Sequence, residues 1–192
     1  MQKQNRLNIV ADFSFYFLWA LTLLLLPLKW VLAWFIASSV HELGHYFSLK
    51  AFRIHILSIR LYSGGVEMET EPMETLPIAI CSLAGPIFGI SLLLLAKQLP
   101  YLAICALIQS LYNLLPLYPL DGGRAIQAIL THFQTEYHAK RIMCAVRFIT
   151  LLLMFVPALY ITLTFAKGYL CLLLFILIVL KTTHIKIPCK HS

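Results

Sequence analysis

The sequence predicts an all-α polytopic membrane protein, with about six transmembrane helices and a small β-hairpin between helices 2 and 3. Three observations predict it. The 192-residue chain is 60% hydrophobic and only 12% charged, with a mean hydropathy of +0.84, whereas a soluble domain carries about 25% charged residues. Apolar segments recur along its whole length. The basic residues, finally, are shared unevenly between the loops that such segments would leave on either side.

The apolar segments lie near residues 9–28, 30–52, 76–96, 99–118, 143–166 and 168–180. Most approach the roughly 20 residues that cross a bilayer. Pro27 interrupts the first segment, and the last is short. The first segment has no small-residue cleavage site and further apolar segments follow at once, which excludes a cleavable leader. With the N-terminus inside, only Lys29, Lys97 and Lys167 of the 15 Lys and Arg fall outside. That asymmetry obeys the positive-inside rule and predicts a multi-pass cell-membrane protein with both termini cytoplasmic. The net charge of +7 is then explained by basic residues near anionic headgroups, and no nucleic-acid partner is implied. The cysteines at 81, 105, 144, 171 and 189 contain no CxxC pair, so no disulfide framework follows.

Two polar stretches break the apolar pattern. In the first, Gly64-Gly65 is a turn signal between two alternating runs. Val66, Met68 and Thr70 are predicted to point one way, with Glu67, Glu69 and Glu71 pointing the other. This hairpin reads equally as a solvated acidic surface or as an open strand edge that pairs with an unwound peptide. The second stretch follows Asn113-Leu114-Leu115-Pro116-Leu117-Tyr118-Pro119-Leu120-Asp121-Gly122-Gly123. Pro116 and Pro119 should break the helix, and irregular backbone at membrane depth is tolerated where it lines a wet cavity. A short helix is expected over 124–134. His132 and His138 in this region read as solvated side chains.

The chemistry is concentrated in His41-Glu42-Leu43-Gly44-His45, inside the apolar segment 30–52. Two histidines four apart share a helix face and can grip one metal ion, while the intervening glutamate can serve as general base toward water. Ionisable groups at membrane depth are costly, so three within five positions imply function. No basic residue in the middle of the spans offers Glu42 an ion pair instead. His45 precedes Lys50 by five residues, placing a metal on the order of 10 Å below the cytoplasmic headgroups. A catalytic zinc needs a third protein ligand and an open position. Asp121 is the strongest candidate, being the only acidic residue between Glu74 and Glu136; taken alone it would read as a helix N-cap. Asn113 is either a hydrogen-bonding group between helices or a donor to the oxyanion that forms during attack. Gly85 and Gly89 read as small residues for close helix approach, and Pro86 as a kink.

HELGH in one membrane helix, AGP in the next and NLLPLYPLDGG in the one after resemble the site-2 proteases, the intramembrane zinc metalloproteases. The resemblance runs from about residue 30 to 130. It implies that His41, His45 and Asp121 bind one Zn2+ per chain, that Glu42 is the base, and that Asn113 assists at the substrate carbonyl. The whole chain, 1–192, is then expected to be a single intramembrane metalloprotease domain. Six spans, cytoplasmic termini and the Gly-Gly-Val-Glu hairpin look most like the sporulation type, which releases a pro-sigma factor. That type carries a CBS domain after its last span, and anti-sigma-factor-cleaving relatives often carry a PDZ domain; neither is expected here. The implied partners are a membrane-associated protein substrate, the bilayer and a membrane inhibitor or regulator. The weighed alternatives are a membrane metal-ion transporter and a catalytically inactive membrane scaffold. A single HExxH cluster without repeated ion sites speaks against the transporter, and the intact chemical groups speak against the scaffold.

Overall fold

A computed structural model describes residues 8–62, 65–164 and 169–183. Seven α-helices and three β-strands are seen among the described residues, and the chain divides into two compact units, residues 1–111 and 112–192.

The first unit opens with a strand that the hydropathy pattern conceals. Residues 9–11 were expected at the head of the first apolar span, but Asn8–Ala11 form β1, paired in parallel with a strand some 50 residues later. The apolar helix α1 is therefore only Phe13–Leu25. Pro27 ends it rather than interrupting it: Leu26 is extended, as a residue before proline must be. Pro27 also serves as the N-cap of α2, Leu28–Ala51, where a missing N–H costs nothing. The C-terminus of α2 closes with Arg53 N–H on the Lys50 carbonyl and Ile54 N–H on the Leu49 carbonyl. This paired closure needs a left-handed residue, here Arg53 at φ 57°. For a side chain larger than glycine that costs about 1–2 kcal/mol, and it turns the chain directly into the sheet.

The sheet runs β1–β2–β3, with β2 at Ile56–Tyr62 and β3 at Gly65–Thr70. The expected hairpin is present, β2 and β3 pairing antiparallel with an irregularity between Ile56 and Ser58. Gly65 has φ 127°, a conformation closed to most side chains. Gly64 lies outside the described residues. The predicted alternation is observed: Val66, Met68 and Thr70 are half-buried, while Glu67, Glu69 and Glu71 are exposed. Arg60 on β2 donates to Asp12, the N-cap of α1, with Nη2 at 2.8 Å. The Asp12 hydrogen bond and charge raise the Arg60 guanidinium above its ordinary pKa.

Beyond the sheet, α3 spans Thr75–Ser91 and tightens into a 3-10 turn at Leu92–Leu95. Helix α4 spans Pro100–Asn113. Small side chains let these helices approach closely. Ala33 and Ala37 of α2 meet Leu102, Cys105 and Ala106 of α4, with Trp30 and Leu92 alongside.

In the second unit the chain leaves α4 at Asn113 and stays irregular to Leu120, as Pro116 and Pro119 predict. Helix α5 then runs Asp121–Phe133, three residues earlier than expected. Helix α6 begins at Glu136, not near 143, and continues to Thr164. Its polar first turns hide the start from a hydropathy reading. Helix α7 is Tyr169–Thr183. Leu117 and Leu120 from the irregular segment are buried with Ile178, against Leu151 and Met154.

Two stretches among the described residues are long and apolar enough to cross a membrane, Thr75–Leu95 and Glu136–Thr164; α1 is a shorter apolar helix.

Candidate metal centre

The HExxH spacing places His41 and His45 on the face of α2 that packs against α3. His41 is buried, at 3% exposure, and His45 is half-buried. Their Nε2 atoms stand 3.2 Å apart, with the rings nearly perpendicular. Two imidazoles on one tetrahedral zinc, with bonds of about 2.0–2.1 Å, would hold their nitrogens about 3.3–3.4 Å apart. The pair therefore already has the separation a shared ion demands.

The orientation of His45 comes from α3. Its Nδ1 lies 2.8 Å from the Cys81 carbonyl. A carbonyl can only accept, so Nδ1–H donates and the Nε2 lone pair is left to face the site. This is the outer support expected for a metal-binding histidine. Ser48, one turn beyond His45, donates to the Cys81 thiol at 3.2 Å. Gly85 lies directly against the pair: a Cβ there would sit 2.6 Å from His45 Cε1 and 2.9 Å from His41 Nε2. Glu42 is half-buried beside His41.

Neither Cys81 nor Ser48 was predicted to matter, and no local signal could have shown it. A main-chain carbonyl carries no residue-type signature, and its partner is 36 positions away. Gly85 was noticed, but as a packing residue.

In the second unit, Asp121 is buried at 8% exposure in the first turn of α5. Its expected alternative role as the N-cap is taken by Leu120, so Asp121 is the first helical residue. A carboxylate there is favoured by the helix dipole. Gly122 and Gly123 let the preceding segment fold over this helix start. A Cβ at Gly122 would collide with the Leu114 carbonyl, and one at Gly123 with the Leu117–Tyr118 peptide. The backbone thus comes close on both glycines that follow Asp121. Asn113 is half-buried at the last residue of α4, where the helix breaks. His132 is exposed in the last turn of α5 and His138 is exposed in the first turn of α6, with His138 Nδ1 2.8 Å from the Thr135 hydroxyl.

The fold resembles that of a solved structure, the site-2 protease from Methanocaldococcus jannaschii. It matches with a TM-score of 0.61 over 97% of each chain, at 20% identity, and the chain shares its fold. A curated relative, a zinc metalloprotease of the same organism, is 33% identical over 112 residues. That match covers 50% of this chain and 33% of the relative, so the chain spans about a third of that protein's length. No family model matches the chain.

Proposed function

We propose that this protein is an intramembrane zinc metalloprotease that hydrolyses a peptide bond of a membrane-associated protein near the cytoplasmic face. Its metal would be held, one ion per chain, by His41, His45 and Asp121. The observation that carries this reading is the histidine pair, whose Nε2 atoms stand 3.2 Å apart, the separation a shared ion demands. Two imidazoles and a carboxylate are a common zinc set that leaves one position open.

When bound, zinc supplies Lewis-acid polarisation of a carbonyl and lowers the pKa of water at the open position. The remaining steps belong to the protein. His41 and His45, the latter oriented by Cys81, hold the reaction centre in place. Glu42 takes a proton from the attacking water and delivers it to the leaving amine. The Asn113 amide donates to the oxyanion that develops on the scissile carbonyl. The substrate must unwind first, because the peptide bonds of a helix are shielded, and β3 offers an outer strand edge on which an extended segment can pair.

Six spans with both termini cytoplasmic remain the topology we infer, supported by the distribution of basic residues. A pro-sigma or anti-sigma factor is the substrate class we infer, supported by the Gly-Gly-Val-Glu hairpin. A membrane inhibitor or regulator would fit the same role.

The test is Glu42→Gln. The variant is expected to keep its zinc and to lose cleavage by about 10²–10⁴-fold, the usual worth of a general base. A proteomic comparison with wild type should reveal a membrane-associated protein that is no longer shortened. Undiminished shortening would overturn the mechanism.

A further inference from the structure

Helix α3 meets the histidine pair at two points one turn apart, Cys81 and Gly85. The Cys81 carbonyl fixes the His45 ring through Nδ1 at 2.8 Å, so the ring cannot swing aside without giving up that bond. Gly85 is buried in the same interface. A Cβ built on it would lie 2.9 Å from His41 Nε2 and closer still to His45 Nε2. Such a position is within near-bonding reach of the two nitrogens that a shared ion must contact, since Zn–N bonds are about 2.0–2.1 Å. A carbon there and a metal between those nitrogens would compete for one space.

We infer that Gly85 is a positioning residue for the metal, its missing side chain being the room in which the ion is held. Helix α3 then does two things at once: Cys81 aims the imidazole, and Gly85 keeps the ground in front of it clear. This differs from the packing role of the neighbouring glycines. A Cβ at Gly44 would meet the Ala84 carbonyl at 2.6 Å and Phe88 Cβ at 2.9 Å. A Cβ at Gly89 would meet chiefly the Ser110 hydroxyl, which can rotate away. Gly85 alone of the three faces the nitrogens. The inference rests on the reading of His41 and His45 as metal ligands.

The test uses the full-length chain in detergent, loaded with zinc for stoichiometry and with Co2+ for visible absorption. Gly85→Ala is expected to lower zinc affinity by about 10–100-fold, the range seen when the support of a metal site is damaged. Its Co2+ bands should be weakened or shifted. Gly89→Ala, one turn along the same helix, should bind both metals as wild type does. Equal zinc affinity and identical Co2+ bands in Gly85→Ala would overturn the inference, as would an equal loss in Gly89→Ala. A wild-type chain that holds no zinc would instead overturn the underlying ligand reading. Folding is covered by repeating Gly85→Ala in a His41→Ala/His45→Ala background. If the imidazoles are what the methyl strikes, the added alanine should leave the thermal midpoint of that metal-free chain unchanged. A Gly85→Ala defect that persists without the histidines would assign the glycine to helix packing and end the proposal.

Discussion

Helices α3 and α6 look alike on paper and behave differently in the structure. Both carry an apolar stretch of the same mean hydropathy, and both contain an internal proline, Pro86 in one and Pro157 in the other. Yet 39% of the α3 stretch is buried against 11% in α6. The residues that α3 buries are Ala79, Cys81, Ser82, Gly85, Pro86 and Gly89, all small. Helix α6 instead exposes Phe148, Leu153, Tyr160 and Leu163. Side-chain size, not hydropathy, separates the helix that packs against the histidine pair from the one left exposed. In a bilayer this follows from physics: apolar surface gains little by leaving lipid for protein, so close backbone approach must supply the cohesion.

The comparison can be broken or sharpened by substitution. The largest effect is expected at Asp121, because it tests whether the unit containing α6 contributes to chemistry at all. Asp121→Ala should reduce zinc from one ion per chain to a small fraction, measured by metal analysis of the purified protein. Unchanged stoichiometry would confine the chemistry to α2 and α3. Next comes Gly44→Ala, which places a methyl against the backbone of α3 at Ala84. Overpacking of this kind costs about 1–3 kcal/mol. By contrast Leu153→Ala, at a residue of α6 that is 69% exposed, should stay within about 0.5 kcal/mol. Equal losses in the two, by denaturant titration in micelles, would erase the distinction drawn between the helices. The smallest effect is expected at Arg60→Ala. The guanidinium is 58% exposed, and solvent screens an exposed ion pair until it contributes little. A larger loss would mean that the Asp12 link between sheet and α1 matters more than its solvent exposure implies.

The candidate metal centre was proposed from the sequence because its signals are local or rare. An HExxH pair declares its geometry within five residues, and Asp121 stands out as a lone acid beside two glycines after a broken helix. The prolines told correctly where α4 must end. What stayed hidden was non-local. Three of the four residues of β1 read as the start of an apolar span, since nothing near them reveals that their partner is β2. The early start of α6 was masked by its charged first turns, which hydropathy assigns to a loop. Gly85 looked like any packing glycine because the nitrogens it faces belong to a helix some 40 positions earlier. Six crossings were expected, and two stretches among the described residues meet the length and composition of a crossing helix.

The parallel pairing of β1 with β2 also sets a schedule for biosynthesis. Asn8 must find Ser58, a residue the ribosome adds about 3–10 s later at about 5–20 residues per second. During that interval α1 and α2 emerge, and the histidine-bearing helix can be placed before the sheet exists to tether it. The sheet therefore closes as a late clasp, fastening Asn8–Ala11 only after the histidine-bearing helix has been made.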